Sequence, residues 1–177
     1  MSAMSENRPL LLRANRLLGS ALIEHNLVKF EDLEVANERL LEVSTSGDMR
    51  RSSVLGILIE EQKVLREQDV LQQIVDEHAV GLVDLRSYDV PEDIRRGLDL
   101  PACWATWTVP FDHEENFHLV ATAYYLSPGV RDFWKKKLGK DIIWQATTMD
   151  IIADFLDRVQ AERDQAAAQA PQPKPTA

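Results

Sequence analysis

The sequence predicts an α+β protein: a tandem pair of helical hairpins over residues 9–79, then a small β-α-β-β-α-β-α module over residues 80–162. Three observations predict it. The first half repeats itself, since LLGSALIEHNLVKFEDL at Leu17–Leu33 returns in outline as VLGILIEEQKVLREQDV at Val54–Val70. Apolar residues in that half recur with the period of a helix. After His78 they fall instead in short runs rich in aromatic and β-branched residues, the mark of strands.

The elements follow in order. Residues 1–8 are polar and are expected to be disordered. Leu11, Ala14, Leu18 and Leu22 lie on one face of a first helix, which Asn26 can end because Asn tolerates a left-handed backbone. Phe30 to Val43 is a second helix with Leu33, Ala36 and Leu40 on one side. Ser44 to Ser53 is loop, and Ser52 or Ser53 caps the next helix. Val54–Glu61 and Glu67–His78 complete the second hairpin.

In the second half, GLVDL (81–85) reads as a strand, and Pro91 opens a short helix that breaks at Gly97. WATWTVPF (104–111) and NFHLVATA (116–123) read as a β-hairpin turning at DHEE. Ser127-Pro128 opens a helix that Gly139 closes, and DIIWQA (141–146) is the last strand. Thr147 or Thr148 caps a final helix to about Arg163. Residues 163–177 are mostly Ala, Gln and Pro and are expected to be a disordered tail.

Charge and composition exclude several function classes. A formal net charge of −9 repels phosphate backbones, so nucleic acid is not expected as a partner. The single cysteine, Cys103, precludes an intrachain disulfide and reads as a buried small hydrophobe in a reducing compartment. No apolar run reaches the roughly 20 residues that span a bilayer. Arg13 and Arg16 interrupt the one stretch that looks like a signal sequence. The expectation is a cytoplasmic protein without a transmembrane segment.

The two copies align without gaps on Leu-Gly. Leu18 matches Leu55, Gly19 matches Gly56, Leu22 matches Ile59, and Leu27-Val28 matches Val64-Leu65. A glycine at that place lets another backbone or a flat ligand come close. One such hairpin cannot cover its own apolar face, so two are expected to pair.

The doubled unit resembles the N-terminal domain of type II secretion and type IV pilus assembly ATPases. The resemblance runs from about Leu10 to Val159 and includes Val83-Asp84-Leu85, Leu100-Pro101, Val109-Pro110 and LVATA at 119–123. It implies regulatory or docking work: coupling a motor to platform proteins, with peripheral membrane association through such a platform. In one branch the doubled unit binds cyclic di-GMP through an Arg before each Leu-Gly and a Gln at the far end of each second helix.

This chain departs from that branch. Leu17 and Val54 precede the two Leu-Gly pairs, and Leu40 and Glu77 hold the far-end positions. Arg16, Arg39, Arg51, Gln72 and Gln73 are the nearest substitutes. A ligand set drawn from the resemblance is therefore Arg16, Leu18, Gly19, Leu22, Arg39, Arg51, Leu55, Gly56, Ile59 and Gln73.

Other constellations are weaker. A phosphate-binding loop needs G-x-x-x-x-G-K-[ST]; around Gly139-Lys140, Trp134 takes the first glycine position and Asp141 follows the lysine. The chain thus reads as a stand-alone accessory domain without ATP hydrolysis. His113 and His118 are five apart, against the four of a helical zinc pair, and no metal site is expected there. His25 and His78 read as structural, each near a helix end. RDFWKKKLGK (131–140) is the one basic cluster, a solvated helix face or a contact for an anionic surface. Trp104 and Trp107, three apart on a strand, would face opposite sides, one core and one exposed for docking.

The sequence thus favours a non-enzymatic docking or regulatory protein that needs no cofactor and takes a protein partner of a secretion, pilus or envelope-polysaccharide machine. The alternative is a cyclic di-GMP sensor. No acid/base or nucleophile constellation supports a hydrolytic enzyme.

Overall fold

A computed structural model describes residues 6–46 and 52–171. Among them are eight helices and one four-stranded sheet. Helix α1 (Arg8–Glu24) starts with Pro9 in its first turn, where the missing N–H costs no hydrogen bond. It buries Leu11, Ala14, Leu18 and Leu22, the face the spacing predicts. Asn26 takes the left-handed backbone, φ 56°, and turns the chain into α2 (Phe30–Thr45). Glu31 and Asp32 sit in the first turn of α2, where carboxylates favour the helix dipole. Its buried face is Leu33, Ala36 and Leu40.

The second copy is less regular. Helix α3 (Val54–Gly56) is capped by Ser53, whose Oγ accepts from Gly56 N at 3.1 Å. It runs directly into a π turn, Ile57–Glu61. Helix α4 (Glu67–His78) follows and ends at Ala79, again left-handed with φ 53°.

The sheet has the order β1-β4-β3-β2. Strand β1 (Gly81–Leu82) pairs parallel with β4 (Asp141–Ala146). Strand β4 pairs parallel with β3 (Phe117–Thr122), and β3 pairs antiparallel with β2 (Thr108–His113) across a bulge at Phe111. Helices α5 (Glu92–Gly97) and α6 (Leu100–Thr106) precede β2. Helix α7 (Pro128–Leu138) joins β3 to β4, and α8 (Met149–Gln169) follows β4. One apolar core runs from Leu11 of α1 through Leu55 and Val109 to Val159 of α8.

A buried polar hub ties the helical half to the sheet. Asn15 Oδ1 accepts from Val54 N at 2.8 Å and from the Tyr124 hydroxyl at 2.7 Å. Asn15 Nδ2 donates to Leu11 O at 2.8 Å. The Ser53 and Tyr124 hydroxyls lie 2.5 Å apart. The hub thus joins α1, the start of α3 and the segment after β3, with each buried polar group satisfied.

Several expectations need correction. Residues 104–106 are helix, and β2 begins only at Thr108. Asp99 caps α6 by accepting from Ala102 N at 3.2 Å, and Pro101 lies in its first turn; these local signals outweigh the aromatic content. The module is therefore β-α-α-β-β-α-β-α, one helix more than expected. Trp104 and Trp107 are both buried, 9% and 3% exposed, because one is helical and the other caps the helix; strand alternation does not apply to them. Strand β1 is only two residues long. Helix α8 passes Arg163 and ends at Gln169. Ala and Gln favour helix without needing a core. Arg163 Nη2 also donates to the carbonyls of Arg95, Arg96 and Leu98 at 3.0, 3.1 and 2.7 Å, closing the C-terminal end of α5. The rest of the expected disorder falls partly on residues 1–5 and 172–177, outside those described.

Candidate docking groove

The two repeated glycines have different surroundings. A Cβ on Gly19 would stand 2.9 Å from Leu33 Cδ1, so this glycine lets α2 press onto α1. A Cβ on Gly56 would meet Met149 Cε at 3.1 Å and its own cap, Ser53. Gly56 lies at the edge of a cavity of about 430 Å³.

This cavity is the candidate site. Ser53, Gly56, Ile57, Glu60 and Glu61 supply one wall, and Met149, Asp150, Ala153 and Asp157 of α8 supply the other. Trp104 and Trp107 also line it, with rings 5.6 Å apart and edge to face. Trp107 combines two costly features. It holds a left-handed backbone, φ 49°, which bulky side chains rarely adopt. Its buried indole N–H has no acceptor among the described residues. Backbone strain and unsatisfied buried donors concentrate at functional positions.

The electrostatics are strongly one-sided. Four carboxylates line the groove: Glu60, Glu61, Asp150 and Asp157. Glu61 accepts from Arg39 Nε at 3.0 Å, and Arg39 also holds Glu42 at 3.1 Å. Glu67 lies behind the wall and accepts from Met149 N at 2.9 Å. Burial pushes its carboxyl above the ordinary value against that hydrogen bond, and Asp150 and Glu60 add to the rise.

The described members of the ligand set drawn from the family resemblance have different surroundings. Leu18, Leu22, Gly19 and Leu55 are buried, whereas Ile59 and Gly56 are half-buried. Arg16 is exposed on α1, and Arg39 is engaged by its two glutamates. Gln73 reaches His25 Nδ1 at 3.2 Å, and Gln72 donates to Asp76 at 2.8 Å. Arg51 lies outside the described residues.

The other constellations are placed as follows. Cys103 is fully buried and its thiol is pushed far up by burial, which leaves it unreactive. His113 and His118 face each other across the hairpin with rings 5.9 Å apart. Lys135 and Lys136 are exposed in the last turn of α7, and Lys137 pairs with Asp99 at 2.9 Å. Sequence reasoning missed the groove because its walls come from segments far apart in the chain. The one legible signal was the pair of tryptophans.

No family model matches the chain, and no curated protein matches it. Solved structures do. The N-terminal domain of XpsE, in two crystal forms, shares 19% identity with TM-scores of 0.54 and 0.51. The first match covers 82% of this chain and 94% of that one; the second covers 78% and 91%. A structure of MshE with cdg, cyclic di-GMP, matches at 17% identity and TM-score 0.50, covering 80% and 97%.

The chain has the fold of these domains. The resemblance to N-terminal domains of type II secretion and type IV pilus ATPases is thus borne out at the level of fold. Among the described residues no helix is long and apolar enough to cross a membrane.

Proposed function

We propose that the protein is a non-enzymatic docking module of a bacterial secretion, pilus or envelope machine, acting in the cytoplasm, and that the groove takes a basic segment of a protein partner. The acidic, tryptophan-lined groove carries this reading. Its carboxylates match Lys or Arg side chains. Half-buried Met149 and Ala153 add apolar area beside the carboxylates, and the two buried indoles line the same cavity. The fold shared with XpsE, read together with the sequence resemblance, supports the class of machine.

The test is a titration of the protein with a Lys/Arg-rich amphipathic peptide, read by tryptophan fluorescence and calorimetry at two salt concentrations. Binding should weaken with salt and drop at least about tenfold in a Glu60→Gln/Asp150→Asn variant, a loss near 1.4 kcal/mol. Equal binding by that variant, or by an acidic peptide of the same length, would sink the reading.

A cyclic di-GMP sensor is the second reading, favoured by the fold shared with MshE solved with that nucleotide. The groove's carboxylates repel a dianion, and Leu33 and Met149 occupy the space beside the two glycines. A sensor would therefore bind away from the groove, and Arg16 and Arg51 are the arginines nearest in sequence to the two Leu-Gly pairs. Calorimetry with cyclic di-GMP, with GTP as control, decides it: heat that disappears in Arg16→Ala/Arg51→Ala supports the sensor, and no heat removes it.

A further inference from the structure

We propose that His25, Glu77 and His78 form a site for a divalent transition metal of the zinc class. The three residues reach one point from two elements. His25 caps the C-terminal end of α1, and Glu77 and His78 are the last two residues of α4. One ligand atom from each lies within 4.8 Å of the other two.

The geometry and the field both suit a cation. His25 Nδ1 stands 3.4 Å from Glu77 Oε2. Two ligands about 2.0 Å from a tetrahedral zinc are themselves about 3.3 Å apart, so this edge of the polyhedron is already set. The two imidazoles stand edge to face, with ring centroids 6.0 Å apart. Rotation of these side chains closes the remaining gap. The site also lies where two helices end, and each C-terminus carries about half a negative charge. Two imidazoles and a carboxylate suit zinc, cobalt or nickel and leave positions for water.

The sequence hides the site because its members lie far apart in the chain. His25 terminates the first helix of the first copy, and Glu77 takes the far-end position of the second. Gln73, whose amide lies 3.2 Å from His25 Nδ1, holds the ring in the metal-free state and is displaced when a metal sits on that nitrogen. The Tyr125 ring, its centroid 5.2 Å from that of His78 in an edge-type contact, supports the other imidazole. A bound metal would clip the end of α1 to the end of α4.

The test uses the full chain with Zn²⁺ by calorimetry, Co²⁺ by visible absorbance, and thermal unfolding with and without metal. One equivalent should bind, Co²⁺ should show tetrahedral bands, and Zn²⁺ at one hundred times its Kd should raise Tm by about 5–10 °C. Glu77→Gln should weaken binding at least about tenfold, and His25→Gln/His78→Gln should abolish it with the metal-free circular dichroism spectrum unchanged. His113→Gln/His118→Gln should bind as the parent does. Binding that survives His25→Gln/His78→Gln, binding lost with His113 and His118, or none to the parent protein overturns the proposal.

Discussion

The two copies of the repeated unit begin from one pattern and end with different surfaces. In the first, α1 is regular over 17 residues and Leu33 closes over Gly19, so the copy is sealed by its own chain. In the second, three residues of α-helix widen into a π turn, and Gly56 faces the terminal methyl of Met149 beside an acidic groove. The Leu-Gly pair is thus a packing device in both copies. What the neighbouring segment brings, Leu33 in one case and α8 in the other, decides whether a concavity survives.

If the copies are equivalent as core and different as surface, truncating their leucines should cost alike. Leu18→Ala and Leu55→Ala each remove a fully buried side chain, and each is expected to lower stability by about 3 kcal/mol. Urea denaturation measures both. A cost below about 1 kcal/mol at either one would mean that this copy relaxes around the cavity, and the equivalence would break. Asn15→Ala tests the link between the copies. It leaves the buried Val54 N–H without its acceptor, at an expected cost of about 2 kcal/mol. Tyr124→Phe leaves Asn15 Oδ1 bonded to Val54 N and Ser53 Oγ bonded to Gly56 N, so it should cost less than Asn15→Ala.

The helical half was legible for a physical reason. Leu11, Ala14, Leu18 and Leu22, then Leu33, Ala36 and Leu40, are read correctly because a helix buries one stripe and the stripe is local in sequence. Asn26, Ser53, Thr148 and Gly139 were legible as caps or stops for the same reason. Residues 100–107 were not. Their aromatic content points to strand, while Asp99 and Pro101 start a helix, and only the surrounding core settles which signal prevails. Neither the groove nor the histidine pair could be read, because Gly56 meets Met149, and His25 meets Glu77, only after folding.

The glycines sharpen the comparison at a smaller scale. A methyl group added to a helical glycine gains roughly 0.5–1 kcal/mol of helix propensity. At Gly19 that gain is opposed by both methyls of Leu33, at 2.9 and 3.2 Å, in a buried seam with little room to repack. At Gly56 the nearest atom is the terminal methyl of Met149, at 3.1 Å, on a flexible thioether that lines the groove. Gly56→Ala should therefore be more stable than Gly19→Ala by about 1 kcal/mol in thermal or urea unfolding. The reverse order would mean that the first copy is the looser of the two.

The smallest effect separates the copies by charge. Glu67 has Phe30 as its counterpart in the first copy, so a change at Glu67 touches only the second. Burial raises the Glu67 carboxyl above its ordinary value of 4.5, and Asp150 and Glu60 raise it further. Between 4.5 and that raised value the folded state therefore holds more protons than the unfolded chain. Stability falls as pH rises through this window and the penalty is complete above it. Glu67→Gln keeps an acceptor for Met149 N and removes the charge. The variant should match the parent below pH 4.5 and gain on it as pH rises, by about 1 kcal/mol or less. Parallel stability profiles for the two proteins would mean that the hydrogen bond from Met149 N offsets burial and the charges of Asp150 and Glu60, so that the second copy carries no penalty for this carboxylate.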